Sequence, residues 1–351
     1  MEEVFAGGGQ WPGAVAVSGG ADSLALLLLL AGWAADAAQA APIVLTVDHG
    51  LQPDSRNIAQ GVVRRARALH LTAHVLRWTG RKPVADIESA AREARYRLMG
   101  NWCGRHGINC LYVAHSQDDQ AETFLLRLMR GSGVDGLAAM TVVAPFPAVS
   151  CGNLRIARPL LRVPRAKLRS FLAARGEGWS EDEMNADPRF ARVRLRKAWP
   201  VLQEIGFSTE RIAAAAQHLG RARATLDQAA AKLLACACRR EGAQVFLDGL
   251  ALASAPEEIA FRALARVLMD VSGRFYRPRF ERLERLAVAV RSDDVRGGRT
   301  LHGCCIRPAS KRDACFGPQT LRIVREGRPD AWPKKCQNPA GRSDVKLSKT
   351  P

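Results

Sequence analysis

Short apolar runs alternate with longer mixed stretches through the first half of the chain. Residues 14–17, 43–47, 72–78 and 110–114 are runs of small, β-branched or aromatic residues at strand length, and 155–157 is a shorter fifth. Between them the spacing predicts helices over 24–35, 55–69, 86–106 and 117–130. The first of these is apolar on every side, as a buried helix is. Strands alternating with helices predict right-handed crossovers and a parallel sheet, hence an α/β fold with ligands at the carboxyl ends of the strands. From about Gly206, read as a hinge, the pattern turns Ala-rich and helical to about Arg240, with further helices over 256–270 and 279–291. After Arg299 it becomes short and strand-like, at 301–306 and 321–324. The expected division is 1–205, a helical domain over 206–295, a reduced β-like segment over 296–326, and a disordered tail over 327–351 rich in Pro, Lys, Asn and Ser.

The first predicted strand runs into Ser18-Gly19-Gly20-Ala21-Asp22-Ser23. The glycines permit positive φ and close backbone approach, and Asp22 and Ser23 stand where first-turn residues belong. A strand, a glycine turn and a helix N-terminus make an anion cradle, with N–H groups and the helix dipole facing one point. The spacing is neither the dinucleotide fingerprint nor the Walker lysine pattern. A carboxylate beside phosphates repels them unless a divalent cation lies between, so Asp22 suggests Mg²⁺. The loop resembles the SGGxDS pyrophosphate loop of enzymes that split ATP into AMP and pyrophosphate. Its strand–turn–helix context distinguishes it from a ligand-free Ser/Gly turn.

Composition narrows the class. With 351 residues, 47% hydrophobic and 25% charged, the chain is globular and long enough for two or three domains. A formal charge of +18 favours a polyanionic partner, nucleic acid before membrane. The segment 155–197 carries twelve Lys/Arg against five Asp/Glu, which suits a nucleic-acid backbone as well as a solvated basic face. Nine cysteines without a C-x-x-C pair argue against a zinc ribbon, an iron–sulfur site or a disulfide framework, and point to reduced thiols in a cytoplasm. The run from Leu24 is too short to span a bilayer, and Glu2 and Glu3 do not make a signal peptide's basic start.

A second cluster, His115-Ser116-Gln117-Asp118-Asp119-Gln120-Ala121-Glu122-Thr123, also leaves a predicted strand and enters a helix. Asp119 and Glu122, three apart, share a helix face. First-turn carboxylates complement the helix dipole, but that alone does not ask for a preceding His or for the following Arg130-Gly131-Ser132-Gly133. A negative pocket on the rim of an ATP site suits Mg²⁺ or a cationic substrate. The phosphate loop, Asp48-His49 and His115 all follow strands and so are expected on one rim.

Taken with Asp48-His49-Gly50-Leu51, Glu88-x3-Arg92-x2-Arg95-Tyr96, Arg158-Pro159-Leu160-Leu161, Asp182-x2-Asn185-x-Asp187 and Arg192-x-Arg194-Leu195-Arg196, these motifs resemble the tRNA(Ile)-lysidine synthetase family over roughly residues 14–205. The chain departs from the family pattern at Val193, usually Asn, and at Met184, usually Ser. The resemblance implies an adenine-nucleotide-α-hydrolase-like, Rossmann-like PP-loop ATPase domain followed by a tRNA-binding helical domain. It implies that ATP adenylates the C2 oxygen of the wobble cytidine in tRNA(Ile) with a CAU anticodon. Free lysine then displaces AMP to give lysidine.

On that reading Ser18, Gly19, Gly20, Ala21, Asp22, Ser23, Asp48 and His49 hold the nucleotide, with Asp22 on Mg²⁺. Asp119 and Glu122 bind the lysine. Arg92, Arg95, Arg192 and Arg196 are candidates for the charge on the α-phosphate, because guanidinium binds phosphate bidentately. His49 and His115 could donate to phosphate or shuttle a proton, against the alternative of structural histidines. A homodimer stays open, and no membrane partner is expected. The competing readings are another PP-loop tRNA-modifying ligase, such as a 2-thiolation enzyme, and an RNA-binding protein with an inactive ATP loop.

Overall fold

In the computed structural model the described residues are 1–327, except 81, 83–86, 148–152, 181–188 and 275. The chain's contacts divide it into two compact units, Met1–Arg223 and Ala224–Pro351. The first opens with α1 (Glu2–Ala6), β1 (Ala14–Ala16), α2 (Ala21–Asp36), β2 (Ile43–Asp48), α3 (Ser55–Ala68), β3 (Ala73–Arg77), α4 (Ile87–Arg105), β4 (Cys110–Tyr112) and α5 (Gln117–Leu128). It continues through α6 (Val134–Leu137), β5 (Val143–Pro145), β6 (Arg155–Ala157), α7 (Arg165–Ala173), α8 (Ala191–Glu204) and the start of α9 (Thr209–Ala237).

Six strands form one sheet in the order β3-β2-β1-β4-β6-β5. All neighbours are parallel except β5, which closes one edge antiparallel to β6. Side chains alternate across such a sheet, and the two faces separate accordingly. Val15, Val44, Tyr112 and Ala157 belong to one core with Leu24, Leu27 and Leu30 of α2, Val62 of α3 and Leu168 and Leu172 of α7. Their strand neighbours Ala14, Leu45, Leu111 and Ile156 belong to the other, with Met99, Trp102 and Cys103 of α4. Two-sided burial is why the strands read as continuous apolar runs rather than alternating ones. β1 has β2 on one side and β4 on the other, so the strand order reverses there and leaves a crevice at the carboxyl ends.

The second unit holds the end of α9, then β7 (Cys238–Glu241), β8 (Gln244–Asp248), α10 (Gly249–Ser254), α11 (Glu257–Ser272), α12 (Phe280–Arg291), β9 (Arg299–Leu301), β10 (Cys304–Pro308) and β11 (Thr320–Arg325). Its strands make one antiparallel sheet, β7-β8-β11-β10-β9. Val245, Leu247, Ile306 and Ile323 pack there against Leu264 and Leu268 of α11 and Leu286 of α12. Helix was expected to about Arg240; α9 instead ends at Ala237 and a hairpin begins, turning at Gly242 with φ +56°. The residues expected as a separate β-like segment over 296–326 share a sheet with this hairpin. At the expected hinge, α8 runs on through Pro200 and stops at Glu204, before Gly206 with φ +97°. The tail expected to be disordered lies outside the described residues from 328 onward, as does the Asp182–Asp187 motif. No described helix is long and apolar enough to cross a membrane.

Candidate functional site

The two chemistry-bearing turns follow adjacent parallel strands. After β1, Gly19 takes φ +91°, and an added Cβ would lie 2.7 Å from Ile58 Cγ2 of α3. That position therefore requires glycine on two independent grounds. The Ser18 amide donates to Ser23 Oγ at 3.1 Å, the two hydroxyls lie 3.2 Å apart, and Ser23 Oγ donates to the Gly20 carbonyl at 2.9 Å. These bonds fold the loop back on its own helix. Gly20 is the N-cap of α2 and no side chain caps it. First-turn N–H groups have no partner within a helix, so this end of α2 is available to an anion.

After β4 the same strand-to-helix turn is finished differently. The Ser116 amide and hydroxyl both donate to Asp119 Oδ2, at 2.9 and 3.1 Å, so the third helical residue reaches back to close the helix start. Asp119, Gln120, Glu122 and Thr123 are buried. Gln120 is locked by its amide, which donates to the Met140 carbonyl at 2.7 Å and accepts from the Met140 amide at 2.9 Å. Arg127 donates to the carbonyls of Gly136 and Ala139, tying the segment after Arg130-Gly131-Ser132-Gly133 to α5.

One arginine joins the two turns. Arg165, first residue of α7, places Nε 3.1 Å from Asp22 Oδ2, Nη2 3.1 Å from Asp119 Oδ1 and Nη1 3.5 Å from Glu122 Oε1. Its own amide donates to Asp118 Oδ2 at 2.7 Å. Arg196 of α8 forks onto Glu122, with Nε 2.6 Å from Oε1 and Nη2 3.1 Å from Oε2, and its Nη2 is 3.9 Å from Asp119 Oδ1. Arg192, one turn earlier, approaches Thr123 Oγ1 at 3.5 Å. Residues 22, 119, 122, 192 and 196 are thus brought together, as expected from their motifs. Arg165 was not singled out in the sequence.

Its only signal there was its place in the basic stretch, four residues after Leu161 of the Arg-Pro-Leu-Leu motif. Val193, where the family usually has Asn, is a buried residue of α8 and needs no hydrogen-bond partner.

The electrostatics of the carboxylates diverge. Burial raises the Asp22 pKa, and Arg165 only partly offsets this. Burial would also raise Asp119, but Arg165, the Ser116 amide and neighbouring cations overcome it and hold that carboxyl below its ordinary value. Burial alone would lower the Arg165 pKa, yet the three carboxylates around it prevail and raise it. His115 is pushed down to about 3, first by burial, then by Arg158, with Asp119 opposing and Arg92 and Arg192 adding. Burial and the surrounding guanidiniums thus favour the neutral imidazole, with a single N–H to donate. Its Nδ1 is buried without a hydrogen-bond partner among the described residues.

The remaining expected residues sit further out. Arg92 lies on α4, exposed, with Nη2 3.1 Å from the Tyr96 hydroxyl. It lines an open cleft of about 320 Å³ with Tyr96, Arg158, Pro145 and Pro147. Arg95 is exposed one turn along α4. Asp48 accepts from the Gly50 amide at 3.2 Å and the Ser55 hydroxyl at 2.6 Å, and His49 Nδ1 accepts from the Leu51 amide at 3.2 Å. Both therefore shape the β2–α3 turn, on the same rim as the loop after β1.

Asp22 Oδ1 is buried with no hydrogen-bond partner among the described residues. An orphaned, desolvated carboxylate oxygen beside a phosphate cradle suits a hard cation. Among the described residues no group of three His, Cys, Asp or Glu side chains could hold a metal alone. Mg²⁺ would therefore be held by Asp22 together with phosphate oxygens and water.

Comparison with known proteins agrees with this geometry. The PP-loop domain family matches residues 5–203. A tRNA(Ile)-lysidine synthase from Bradyrhizobium sp. is 42% identical over 264 residues, 72% of each chain. One from Methylobacterium nodulans is 43% identical over 275 residues, covering 77% of this chain and 78% of its own. One from Wolbachia pipientis is 36% identical over 315 residues, 89% of this chain and 70% of its own.

Proposed function

This chain belongs to the tRNA(Ile)-lysidine synthase family, and from that premise we propose how its residues carry out the reaction. The protein is an ATP-dependent ligase that forms lysidine on tRNA(Ile). The substrates are ATP, free lysine and a tRNA(Ile) with a CAU anticodon, and the reaction runs in the cytoplasm on the wobble cytidine. The β- and γ-phosphates lie on the loop 18–23, where backbone N–H groups and the α2 dipole stabilise the departing pyrophosphate. Mg²⁺ held through Asp22 would neutralise charge that builds on the phosphate oxygens.

The C2 oxygen of a splayed-out cytidine attacks the α-phosphate, giving an adenylated base and pyrophosphate. The ε-amine of lysine then attacks C2 and AMP leaves. Asp119 and Glu122 hold and orient the lysine, Arg192 and Arg196 serve the phosphate oxygens, and neutral His115 donates or relays a proton. Arg92 and Arg158, with Tyr96 between them, offer cations and a ring face to the nucleotide being modified. The catalytic unit spans 1–205 and the tRNA is also held by 206–295. A homodimer is compatible with this scheme.

The single observation that supports it most is the guanidinium of Arg165 touching Asp22 on one side and Asp119 and Glu122 on the other. It sets the pyrophosphate loop and the acidic helix end on one rim, a side chain's width apart. The test uses purified full-length protein with CAU-anticodon tRNA(Ile), ATP and labelled lysine. Label should enter the tRNA only when ATP and lysine are both present, with one pyrophosphate released per lysine. Pyrophosphate release driven by ammonia or sulfide instead of lysine would overturn the assignment.

A further inference from the structure

The two carboxylates assigned to lysine are already engaged. Asp119 Oδ2 takes both Ser116 donors, and Oδ1 takes Arg165 Nη2 at 3.1 Å. Glu122 Oε1 takes Arg196 at 2.6 Å and Arg165 at 3.5 Å, and Oε2 takes Arg196 at 3.1 Å. An incoming ammonium finds no carboxylate oxygen here without a donor. These oxygens can each accept a further bond, but with both guanidiniums in place the ammonium would make three cations on two carboxylates. Its binding therefore favours the state in which one arginine has turned away, and the contacts say which. Arg196 makes a two-bond fork with a single carboxylate, the strong geometry for this pair. Arg165 spreads one contact to each of three carboxylates, the longest at 3.5 Å. Its backbone is pinned by Asp118, so only the side chain can turn.

Resting on the amino-acid reading above, we propose that Arg165 is a built-in occupant of the amine subsite, drawn off Asp119 and Glu122 by the phosphates of ATP, so that lysine binds tightly only after the nucleotide. Arg165 Nε already stands 3.1 Å from Asp22 within the pyrophosphate loop. A triphosphate on that loop supplies a denser array of anionic oxygens, in the planar arrangement a guanidinium matches bidentately. The turn that brings Arg165 to the phosphates vacates the oxygens an ammonium needs. The residue thereby orders the binding steps and keeps the amine pocket closed to lysine while no nucleotide is bound. It is a positioning residue for both substrates.

The coupling is measured by titrating L-lysine calorimetrically into the full-length protein, alone and with saturating α,β-methylene-ATP and Mg²⁺. Wild type should bind lysine about tenfold more tightly with the nucleotide analogue, and lysine should tighten the analogue by the same factor. Arg165→Met should raise lysine affinity in the nucleotide-free protein and reduce the coupling to about threefold or less. Absence of coupling in wild type, full coupling in Arg165→Met, or weaker lysine binding by the variant in both states would overturn the proposal. If Arg165→Met fails to fold by circular dichroism, Arg165→Lys decides. A point charge cannot bridge the loop and the acidic pair, so its coupling should fall at least about threefold, and unchanged coupling overturns the proposal. Wild type that neither binds lysine nor incorporates it refutes the underlying function. Incorporation together with unaltered coupling in the variants refutes only the role of Arg165.

Discussion

The turns after β1 and β4 leave adjacent parallel strands and enter helices in the same direction, yet they are finished with opposite chemistry. After β1 the helix start has no side-chain cap, its glycine bends where no Cβ fits, and its one acid has an orphaned oxygen. After β4 the helix start is closed by Ser116 and Asp119, and the acids are matched by arginines. A helix start with no side-chain cap behind a glycine turn suits an anion. A helix start whose third residue reaches back to the N-cap amide, with carboxylates buried beside it, suits a cation. The helix dipole is common to both, so the choice is made by two or three side chains and not by the fold.

The largest break of this contrast is Gly19→Ala. With φ +91° and Ile58 Cγ2 at 2.7 Å, the loop must distort. ATP-dependent pyrophosphate release should fall about 100-fold, while lysine binding to the nucleotide-free protein should be unchanged. The assay is pyrophosphate release beside a lysine titration.

Next is a pair with opposite signs in stability. Asp119 has a depressed pKa, so its contribution is complete above the ordinary carboxylate value near 4 and is lost as pH falls through the folded value. Asp119→Asn should cost about 1–3 kcal/mol at neutral pH and reduce acid sensitivity. Asp22 has a raised pKa, so its charge costs stability once pH climbs through the folded value. Asp22→Asn should therefore raise neutral-pH stability, by about 1 kcal/mol, while abolishing ligation. Urea unfolding at pH 7 and pH 4 reads both, and a shared sign would erase the distinction between the turns.

The smallest effect is Ser116→Ala, which removes one of the two donors to Asp119 Oδ2. A loss of about 1 kcal/mol, or about 2–4 °C in thermal unfolding, is expected.

The parallel sheet was legible because buried strands and amphipathic helices carry different periods, and each core strand lay where its apolar run stood. Elements that lack a period were not. β5 is Val143–Pro145, three residues on an edge and half-exposed, with no alternation to read. α7 mixes Arg and Lys with two buried leucines, Leu168 and Leu172, and was absorbed into a basic stretch. β7 and β8 followed an Ala-rich run without a helix-stopping residue, so helix was extended through Cys238 to Arg240.

The acidic pair and the glycine loop were legible because short-range spacing encodes both. Arg165 was not, because it stands 143 residues from Asp22 and 46 from Asp119. Its meeting with them is made by the crossover that brings α7 against α2, where no local pattern records it.

Gln120 borrows the hydrogen-bonding habit of a β-strand, giving and receiving one bond with the backbone of Met140. Together with Arg127 it splints the loop leading to the edge strand β5 onto α5. The acidic end of α5 and the rim of the sheet are in this way parts of one bracket. With α5 tied in this way, rearrangement at its acidic end is left to side chains, Arg165 and Arg196 first among them.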